Sequence, residues 1–291
     1  MGELIQLVVS GIATGSIYAL AALGFTLLWQ ADGVINFAQG EFVMLPAFAM
    51  LGFGALGAPL AVAFLLTCGV AVGVLGWAFK RGIADPLLRF GLMPIVVATI
   101  GLSIAMRNLV RAGYSAEAHP FPSLFADKLF NVAGVTITLA DVGTLVLALL
   151  LVFATQAFLT KTVTGRAMQA VAQNTDSATV LGINVPRMIF YTFAINALLA
   201  CAAALLVTPT YLAKFDMGES LGNKAFFAAI IGGFNNSRGA LLGGLIVGVA
   251  ENLAAAYISP TYKDAVALVL FMVVILFKPQ GLLGKKTERK V

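Results

Sequence analysis

The chain has 291 residues, of which 60% are hydrophobic and only 11% are charged, and its mean hydropathy is +0.97. Soluble domains average about 45–50% apolar and about 25% charged residues. The composition therefore excludes a soluble globular domain and predicts an integral membrane protein. Because no stretch between the apolar runs is long enough to bury a core of its own, we expect one all-α membrane domain over residues 1–291.

The function classes that usually accompany a basic chain are not supported. The net charge of +5 arises without a block of basic residues interleaved with aromatic ones, so nucleic-acid binding is not expected. The single histidine, His119, lacks the neighbours that a zinc site requires, so we expect no metal. Gly52, Gly54 and Gly57 form a GxGxxG pattern without the strand and helix of a dinucleotide-binding unit. No P-loop is present, so the chain by itself is expected to bind neither a cofactor nor ATP.

Cutting the chain at charges and at clusters of Gly and Pro gives nine apolar segments. A helix needs about 20 residues to span a bilayer, and we compare the length of each segment with this value. The first follows Glu3 and is too long for the apolar region of a signal peptide, so we interpret it as a membrane helix. The second and seventh are interrupted by Gly and by charges. The segments are 4–29, 34–55, 59–79, 92–111, 140–159, 188–210, 223–236, 239–257 and 262–277.

Basic residues concentrate in three connections, which the positive-inside rule assigns to the cytoplasm. These are the loop 80–89, the loop 161–187 and the tail 278–291. The amino terminus then lies outside and the carboxyl terminus inside, which requires an odd number of crossings, and nine satisfies this. The loop 112–138 is consequently external. Within it we predict a hairpin of Leu129–Val132 with Val135–Thr138 that turns at Gly134.

Ionisable side chains inside membrane segments are costly and therefore mark functional candidates. Glu41 and Lys224 are each predicted to lie near the start of an interrupted helix, and the two helices run in opposite directions, as in the inverted repeats of transporters. We predict that these two charges form an ion pair, the alternative being two separate interfacial charges. Glu251 requires a buried polar partner that the sequence does not identify. Arg107 and Arg111 are expected to extend to the membrane interface.

Pairs of glycines four residues apart predict close helix packing, because the missing side chains let backbones approach. We expect these contacts within the chain, with a partner membrane subunit as the alternative. The pairs are Gly11/Gly15, Gly69/Gly73, Gly239/Gly243 and Gly244/Gly248.

The inner loop 161–187 contains two predicted short helices. Thr164 is expected to cap the first, which begins at Gly165, and Asp176 to cap the second, which stops at Gly182. A short helix presented to a groove on a cytoplasmic partner is a known recognition mode. We therefore expect this loop to dock into such a partner, the alternative being a plain connector.

Three long runs are distinctive in this sequence: GVINFAQGEFVML at 33–45, GRAMQAVAQNTDSATVLGIN at 165–184, and KAFFAAIIGGFNNSRGALLGGLIVGVAENL at 224–253. They resemble the membrane permease subunits of bacterial branched-chain amino acid ABC importers, the LivH type in particular. The tail from Tyr262 to Gly284 fits the same family, so the resemblance covers nearly the whole chain. Departures at Gln39 and Gln173 concern the identity of the substrate and not the transport role.

The resemblance implies a polytopic permease of the bacterial inner membrane that forms half of a heteromeric pore. It implies import of Leu, Ile or Val, with a second permease subunit of the LivM type, two cytoplasmic ATPase subunits and a periplasmic binding protein as partners, in contact with membrane lipid. Urea, short amides or other amino acids are the alternative cargo, and a stand-alone secondary transporter or channel is the alternative class. The residues assigned to the translocation pathway are Asn36, Phe37, Gln39, Glu41, Lys224 and Glu251, and those assigned to ATPase coupling are Gly165, Arg166, Ala170, Asn174, Asp176 and Gly182.

Overall fold

A computed structural model describes residues 2–33, 35–125, 128–132, 135–234 and 236–284. These residues form helices and one two-stranded hairpin. The helices are α1 (Gly2–Asp32), α2 (Gln39–Ala55), α3 (Leu60–Ala71), α4 (Asp85–Leu88), α5 (Leu92–Tyr114), α6 (Leu139–Lys161), α7 (Val163–Gln173), α8 (Thr175–Val180), α9 (Val185–Tyr211), α10 (Met217–Gly232), α11 (Ser237–Tyr257) and α12 (Lys263–Phe277), and the strands are β1 (Leu129–Val132) and β2 (Val135–Thr138). Two π-helical stretches, Val72–Ala78 and Lys80–Ala84, join α3 to α4 in one continuous rod, Leu60–Leu88.

Seven of the predicted segments correspond to helices that are long and apolar enough to cross a membrane. The other two contain shorter helices, α2 with 17 residues and α10 with 16. At about 1.5 Å per residue each short helix covers roughly 25 Å, against a hydrocarbon core of about 30 Å. Helix α10 also begins at Met217, ahead of the predicted segment 223–236. Seven helices are therefore candidates to span the membrane, whereas nine crossings are not confirmed.

Helix α1 is the central helix of the bundle. Every residue from 15 to 28 is buried, and the helix packs against α6, α9, α10 and α11. A Cβ atom on Gly15 would lie 2.7 Å from the carbonyl oxygen of Gly244, and one on Gly11 would lie 2.8 Å from the Cα atom of Val249. The backbones of α1 and α11 therefore touch, which confirms the packing predicted from these glycines.

The remaining glycine pairs behave in two different ways. Gly239 and Gly243 of α11 lie against the backbone of α10, so their predicted packing within the chain is confirmed. A Cβ atom on Gly69 or Gly73 of α3 would meet no atom within 4 Å among the described residues. Packing of this pair within the chain is therefore wrong, and its contact with a partner membrane subunit stays a prediction.

The structure describes most of the predicted external loop 112–138. Helix α5 continues to Tyr114 and so covers its first residues. The predicted hairpin is confirmed, with Leu129 opposite Thr138 in an antiparallel register, while its turn at Gly134 lies outside the described residues. His119 exchanges two backbone hydrogen bonds of 2.9 Å with Ala213. These bonds attach the loop to the connection between α9 and α10.

Candidate functional site

The start of α2 is fixed by three successive residues that each contact a different helix. Gln39 contacts α9, Gly40 contacts α10, and Glu41 contacts α5. The predicted pathway residues of this run therefore lie at a junction of four helices.

A reciprocal pair of amides holds α2 to α9. The Nε2 atom of Gln39 donates to Oδ1 of Asn196 at 2.6 Å, and Nδ2 of Asn196 donates to Oε1 of Gln39 at 3.0 Å. Both side chains are fully buried, so each needs a partner for its amide. Gly24 of α1 makes room for the pair, because a Cβ atom there would collide with Oδ1 of Asn196. Sequence reasoning missed Asn196, although an Asn inside a 27-residue apolar helix is the signal that could have found it.

Backbone contact between glycines brings the starts of α2 and α10 together. A Cβ atom on Gly218 would lie 2.8 Å from the carbonyl carbon of Gly40, and one on Gly222 would lie 2.9 Å from its Cα atom. A side chain at any of the three positions would push the two helices apart. The two short helices thus meet at their amino-terminal turns.

An arginine bridges two carboxylates beside this contact. Arg107 of α5 lies 3.2 Å from Oε1 of Glu41 and 2.5 Å from Oε2 of Glu219 on α10. The side chain of Glu41 is 2% exposed, that of Arg107 is 23% exposed, and that of Glu219 is 58% exposed. The expectation that Arg107 extends to the membrane interface is wrong, because two acidic groups hold it within the bundle. Arg111, one turn further along, lies over the ring of Phe215.

The predicted ion pair between Glu41 and Lys224 is also wrong. The Nζ atom of Lys224 lies 2.6 Å from Oε1 of Glu251 and 2.9 Å from Oδ1 of Asp264, and these bonds identify the partner that Glu251 required. The physical reason is the true start of α10 at Met217, which puts Lys224 near the middle of that helix. There it faces α11 and the start of α12, whereas Glu41 lies in the first turn of α2 and faces α5.

The charges around Lys224 form a network that is buried at Lys224 and Glu251 and open at Lys263 and Asp264, and we call it the Lys224 cluster. Its members are Tyr18, Lys224, Glu251, Lys263 and Asp264. Tyr18 of α1 donates to Oε2 of Glu251 at 2.8 Å, and Nζ of Lys263 lies 3.6 Å from Oε1 of the same carboxylate. Two ammonium groups thus balance two carboxylates across α10, α11 and α12. A cavity of about 190 Å³ adjoins the cluster and is lined in part by Tyr18, Tyr211, Lys214, Asp216, Ser220 and Lys224.

The other two predicted pathway residues precede α2. Oδ1 of Asn36 accepts a hydrogen bond of 3.0 Å from the backbone N–H of Ala38, while its buried Nδ2 has no partner among the described residues. The backbone N–H of Phe37 donates to Oγ1 of Thr99 on α5 at 3.3 Å. The Phe37 side chain is 42% exposed. An exposed aromatic and an unpaired amide thus lie beside the helix junction.

The predicted coupling segment forms two short helices, but other residues cap them. Oγ1 of Thr162 accepts from the backbone N–H of Gly165, and Oδ1 of Asn174 accepts from that of Ser177. The predicted caps Thr164 and Asp176 instead lie inside α7 and α8. Each true cap stands two residues before the predicted one.

One face of the coupling segment packs on the bundle and the other is open. Gly165 lies against the backbone of α6, where a Cβ atom would collide with the carbonyl of Phe158, and Ala170 is half-buried. The predicted residues Arg166, Asn174, Asp176 and Gly182 are exposed. Large aliphatic side chains are exposed beside them, namely Val163, Val180 and Leu181. The segment therefore offers an apolar surface with polar neighbours at one end of the bundle.

Comparison with known proteins agrees with this architecture. Residues 7–275 match the family described as branched-chain amino acid transport system, permease component. The high-affinity branched-chain amino acid transport system permease protein BraD of Pseudomonas aeruginosa is 33% identical over 99% of this chain and 98% of its own. LivH of Escherichia coli, described in the same words, is 33% identical over 99% and 97%.

An archaeal relative extends the comparison. The probable branched-chain amino acid transport permease protein LivH of Methanocaldococcus jannaschii is 26% identical over 96% of this chain and 93% of its own length. The matches run from end to end, and they are to membrane transport subunits and not to enzymes. The chain belongs to the family of branched-chain amino acid transport system permease components.

Proposed function

We propose that this chain is the membrane permease subunit of an ATP-driven importer that moves Leu, Ile and Val across the bacterial inner membrane. The observation that carries the proposal is the match over 99% of the chain to permeases described as high-affinity branched-chain amino acid transporters. The sequence has no P-loop, so we assign ATP hydrolysis to partner chains. The partners are a second permease subunit of the LivM type, two cytoplasmic ATPase subunits and a periplasmic binding protein.

The translocation pathway is proposed to follow the face where α2, α5 and α10 meet. Arg107 and Glu219 are partly open to the outside of the bundle on this face. Charged side chains in membrane segments border a water-filled cavity or another protein and avoid lipid. Exposed Phe37 on the same junction supplies an apolar contact for an amino acid, and Asn36 is buried directly beside it. A second permease subunit completes the pathway on the open side.

The Lys224 cluster is assigned to the outer end of this pathway. Lys224 lines the cavity of about 190 Å³ together with Lys214 and Asp216, which belong to the connection between α9 and α10. Glu251 lies behind Lys224 and is buried, so its role is to hold the ammonium group in place. In this assignment the cluster shapes the cavity wall and does not bind the cargo.

We also propose an inverted repeat with nine crossings, counting α2 and α10. The order of segments supports it, because a long helix, a short one and two further candidate spans occur twice, with α12 counted together with the turn before it as Pro260–Phe277. The first series is α1, α2, the rod Leu60–Leu88 and α5, and the second is α9, α10, α11 and α12. Positive-inside orientation makes the two series antiparallel.

The topology is tested with Ser123→Cys in the external loop. Ser123 is exposed and lies between α5 and the hairpin. The cysteine is expected to react with a membrane-impermeant thiol reagent in intact spheroplasts. Reaction only after lysis means that the orientation is inverted.

Coupling to the ATPases is proposed for α7 and α8, through Gly165, Arg166, Ala170, Asn174, Asp176 and Gly182. The exposed aliphatic side chains Val163, Val180 and Leu181 support a protein contact there, since a short helix in a groove buries such groups. Ala170→Glu and Val180→Glu are expected to lower transport and ATPase stimulation, and Val180, being 88% exposed, tests docking without disturbing the core. Ser123→Glu on the external loop is the matched control. Normal coupling in both variants would contradict docking at this surface.

Copurification tests the proposed class directly. The tagged chain, expressed with its candidate partner genes and extracted in detergent, is expected to retain a second permease and two ATPase chains by native mass measurement. Uptake of leucine by the purified chain alone would instead favour a secondary transporter or channel. Competition of leucine uptake by valine and isoleucine, but not by urea, separates the proposed cargo from the alternative one.

A further inference from the structure

An apolar groove lies between α2 and α3 on the surface of the bundle. Its volume is about 200 Å³. Leu45, Pro46 and Ala49 form the α2 wall, and Thr67, Val70 and Val74 lie on the opposite side. Val70 and Val74 are about half exposed, so the groove opens outward. Among the described residues that line it, Thr67 alone is polar.

The rest of the α3 surface is also apolar and uncovered. Gly69 and Gly73 meet no atom within 4 Å of an added Cβ in the described part of the chain. Leu65, which is 68% exposed, and Leu66, which is 48% exposed, add further aliphatic surface to the same helix. An aliphatic surface inside a bilayer is as apolar as the lipid tails that surround it, so acyl chains fit it without cost.

Basic residues follow the groove at one end of the same rod. Lys80 is neutralised by Asp85, with its Nζ atom 2.8 Å from Oδ1. Arg81 and Arg89 are exposed, and neither forms an ion pair within the residues that the structure describes. Trp77 is 57% exposed and lies between the groove and Arg81 along the chain, as expected of an aromatic residue near a membrane interface.

The spacing matches one leaflet. Val74 and Arg81 are seven residues apart, which is about 10 Å at the rise of an α-helix and less along the π-helical stretches that contain them. Half of the hydrocarbon core measures about 15 Å. The positive-inside rule assigns Arg81 and Arg89 to the cytoplasmic surface. A headgroup at the arginines therefore has its acyl chain at the depth of the groove.

We propose that the groove between α2 and α3 holds an acyl chain of an anionic phospholipid whose headgroup is bound by Arg81 and Arg89. The aliphatic walls select a hydrocarbon chain, and the two exposed guanidinium groups select a negative headgroup in the inner leaflet. This site is separate from the α2, α5 and α10 face and does not depend on the identity of the cargo.

Tryptophan fluorescence tests the proposal, because Trp29 and Trp77 are the two tryptophans of the sequence. The full chain with Trp29→Phe is reconstituted in vesicles of phosphatidylcholine that contain phosphatidylglycerol with brominated acyl chains, which quench nearby indole. Brominated phosphatidylglycerol is expected to quench Trp77 more strongly than the same fraction of brominated phosphatidylcholine does. Each arginine near a membrane surface contributes roughly a fivefold preference for anionic lipid. Arg81→Gln with Arg89→Gln is therefore expected to remove the preference, and Lys161→Gln, another exposed inner basic residue, to leave it unchanged.

The reciprocal variant Trp77→Phe leaves Trp29 as the reporter, and Trp29 packs edge-on against Phe234. The two brominated lipids are expected to quench Trp29 equally. Ala49→Phe, which fills the groove, is expected to lower the quenching of Trp77. Equal quenching of Trp77 by both lipids, or a preference that survives loss of both arginines, would overturn the proposal. So would failure of photoreactive phosphatidylglycerol to label α3 in the copurified complex, since a protein partner would then cover this face.

Discussion

The two short helices, α2 and α10, look alike in sequence but hold their charges in different ways. Glu41 lies in the first turn of α2, where the helix macrodipole favours a carboxylate, and it contacts a partly exposed arginine. Lys224 lies near the middle of α10, beyond the reach of the dipole, and is buried between two carboxylates. The difference shows that the position of a charge relative to its helix start decides which neighbours it can have. The first charge belongs to a junction whose arginine is partly exposed, and the second to a cluster in which Lys224 and Glu251 are buried and Asp264 is exposed.

The largest expected effect comes from breaking the buried ion pair of the Lys224 cluster. Glu251→Gln leaves the ammonium group of Lys224 with the exposed Asp264, and removal of one partner of a buried pair costs about 3–5 kcal/mol. We expect strongly reduced thermal stability in detergent and reduced leucine uptake. Lys224→Met with Glu251→Leu is expected to recover much of the stability. Equal stability of Glu251→Gln and the parent chain would contradict the buried network.

Charge exchange separates the cluster from the junction. Glu41→Lys combined with Lys224→Glu puts an ammonium beside Arg107 and a carboxylate beside Glu251. Both contacts then join like charges, so the double variant is expected to be no better than the worse single variant. Uptake and melting temperature at matched expression measure this. Recovery in the double variant would instead indicate a direct ion pair between the two positions, which the structure excludes.

A smaller effect is expected at the amide pair that anchors α2. Asn196→Leu leaves the buried amide of Gln39 without a partner, which costs about 1–3 kcal/mol. Gln39→Met in the same chain removes that unsatisfied group and is expected to recover stability. A double-mutant cycle by thermal unfolding gives the coupling. Additive losses would mean that the two amides do not depend on each other.

The smallest effect is expected at the exposed end of the junction. Glu219→Gln removes a carboxylate that is 58% exposed, and exposed ion pairs contribute about 0–1 kcal/mol. Glu41→Gln acts on a carboxylate that is 2% exposed and is expected to lower stability and transport more. The melting temperatures of the two variants at low and high salt give the comparison. A larger loss for Glu219→Gln would reverse the assignment of buried and open sides.

Much of the fold follows from local patterns. Apolar runs of sufficient length predict six of the seven candidate spans within a few residues, and the hairpin follows from alternation around a turn. The rod Leu60–Leu88 continues nine residues beyond the predicted segment 59–79, into the predicted inner loop 80–89. The start of α10 could not be found in this way, because Gly218 and Gly222 suggest a break but are tolerated in membrane helices that pack closely. The predicted caps of α7 and α8 lie two residues after the observed ones. For α7 the reason is that Thr162 and Thr164 are equally good capping residues.

The site was harder to predict than the fold. Glu41, Gln39 and Lys224 could be chosen because charged and amide groups are rare in membrane segments. Their partners Arg107 and Asn196 come from helices far along the chain, and only the three-dimensional packing brings them within hydrogen-bond distance.

ATP-driven uptake of leucine into proteoliposomes tests the central claim most directly. The complete complex is reconstituted with and without this chain. The binding protein and radiolabelled leucine are outside the vesicles, and ATP is inside, on the side that carries the ATPase subunits. We expect uptake only when this chain, its permease partner, the ATPases and ATP are all present. Uptake by this chain without ATP or ATPase subunits would contradict its assignment as the permease subunit of an ABC importer.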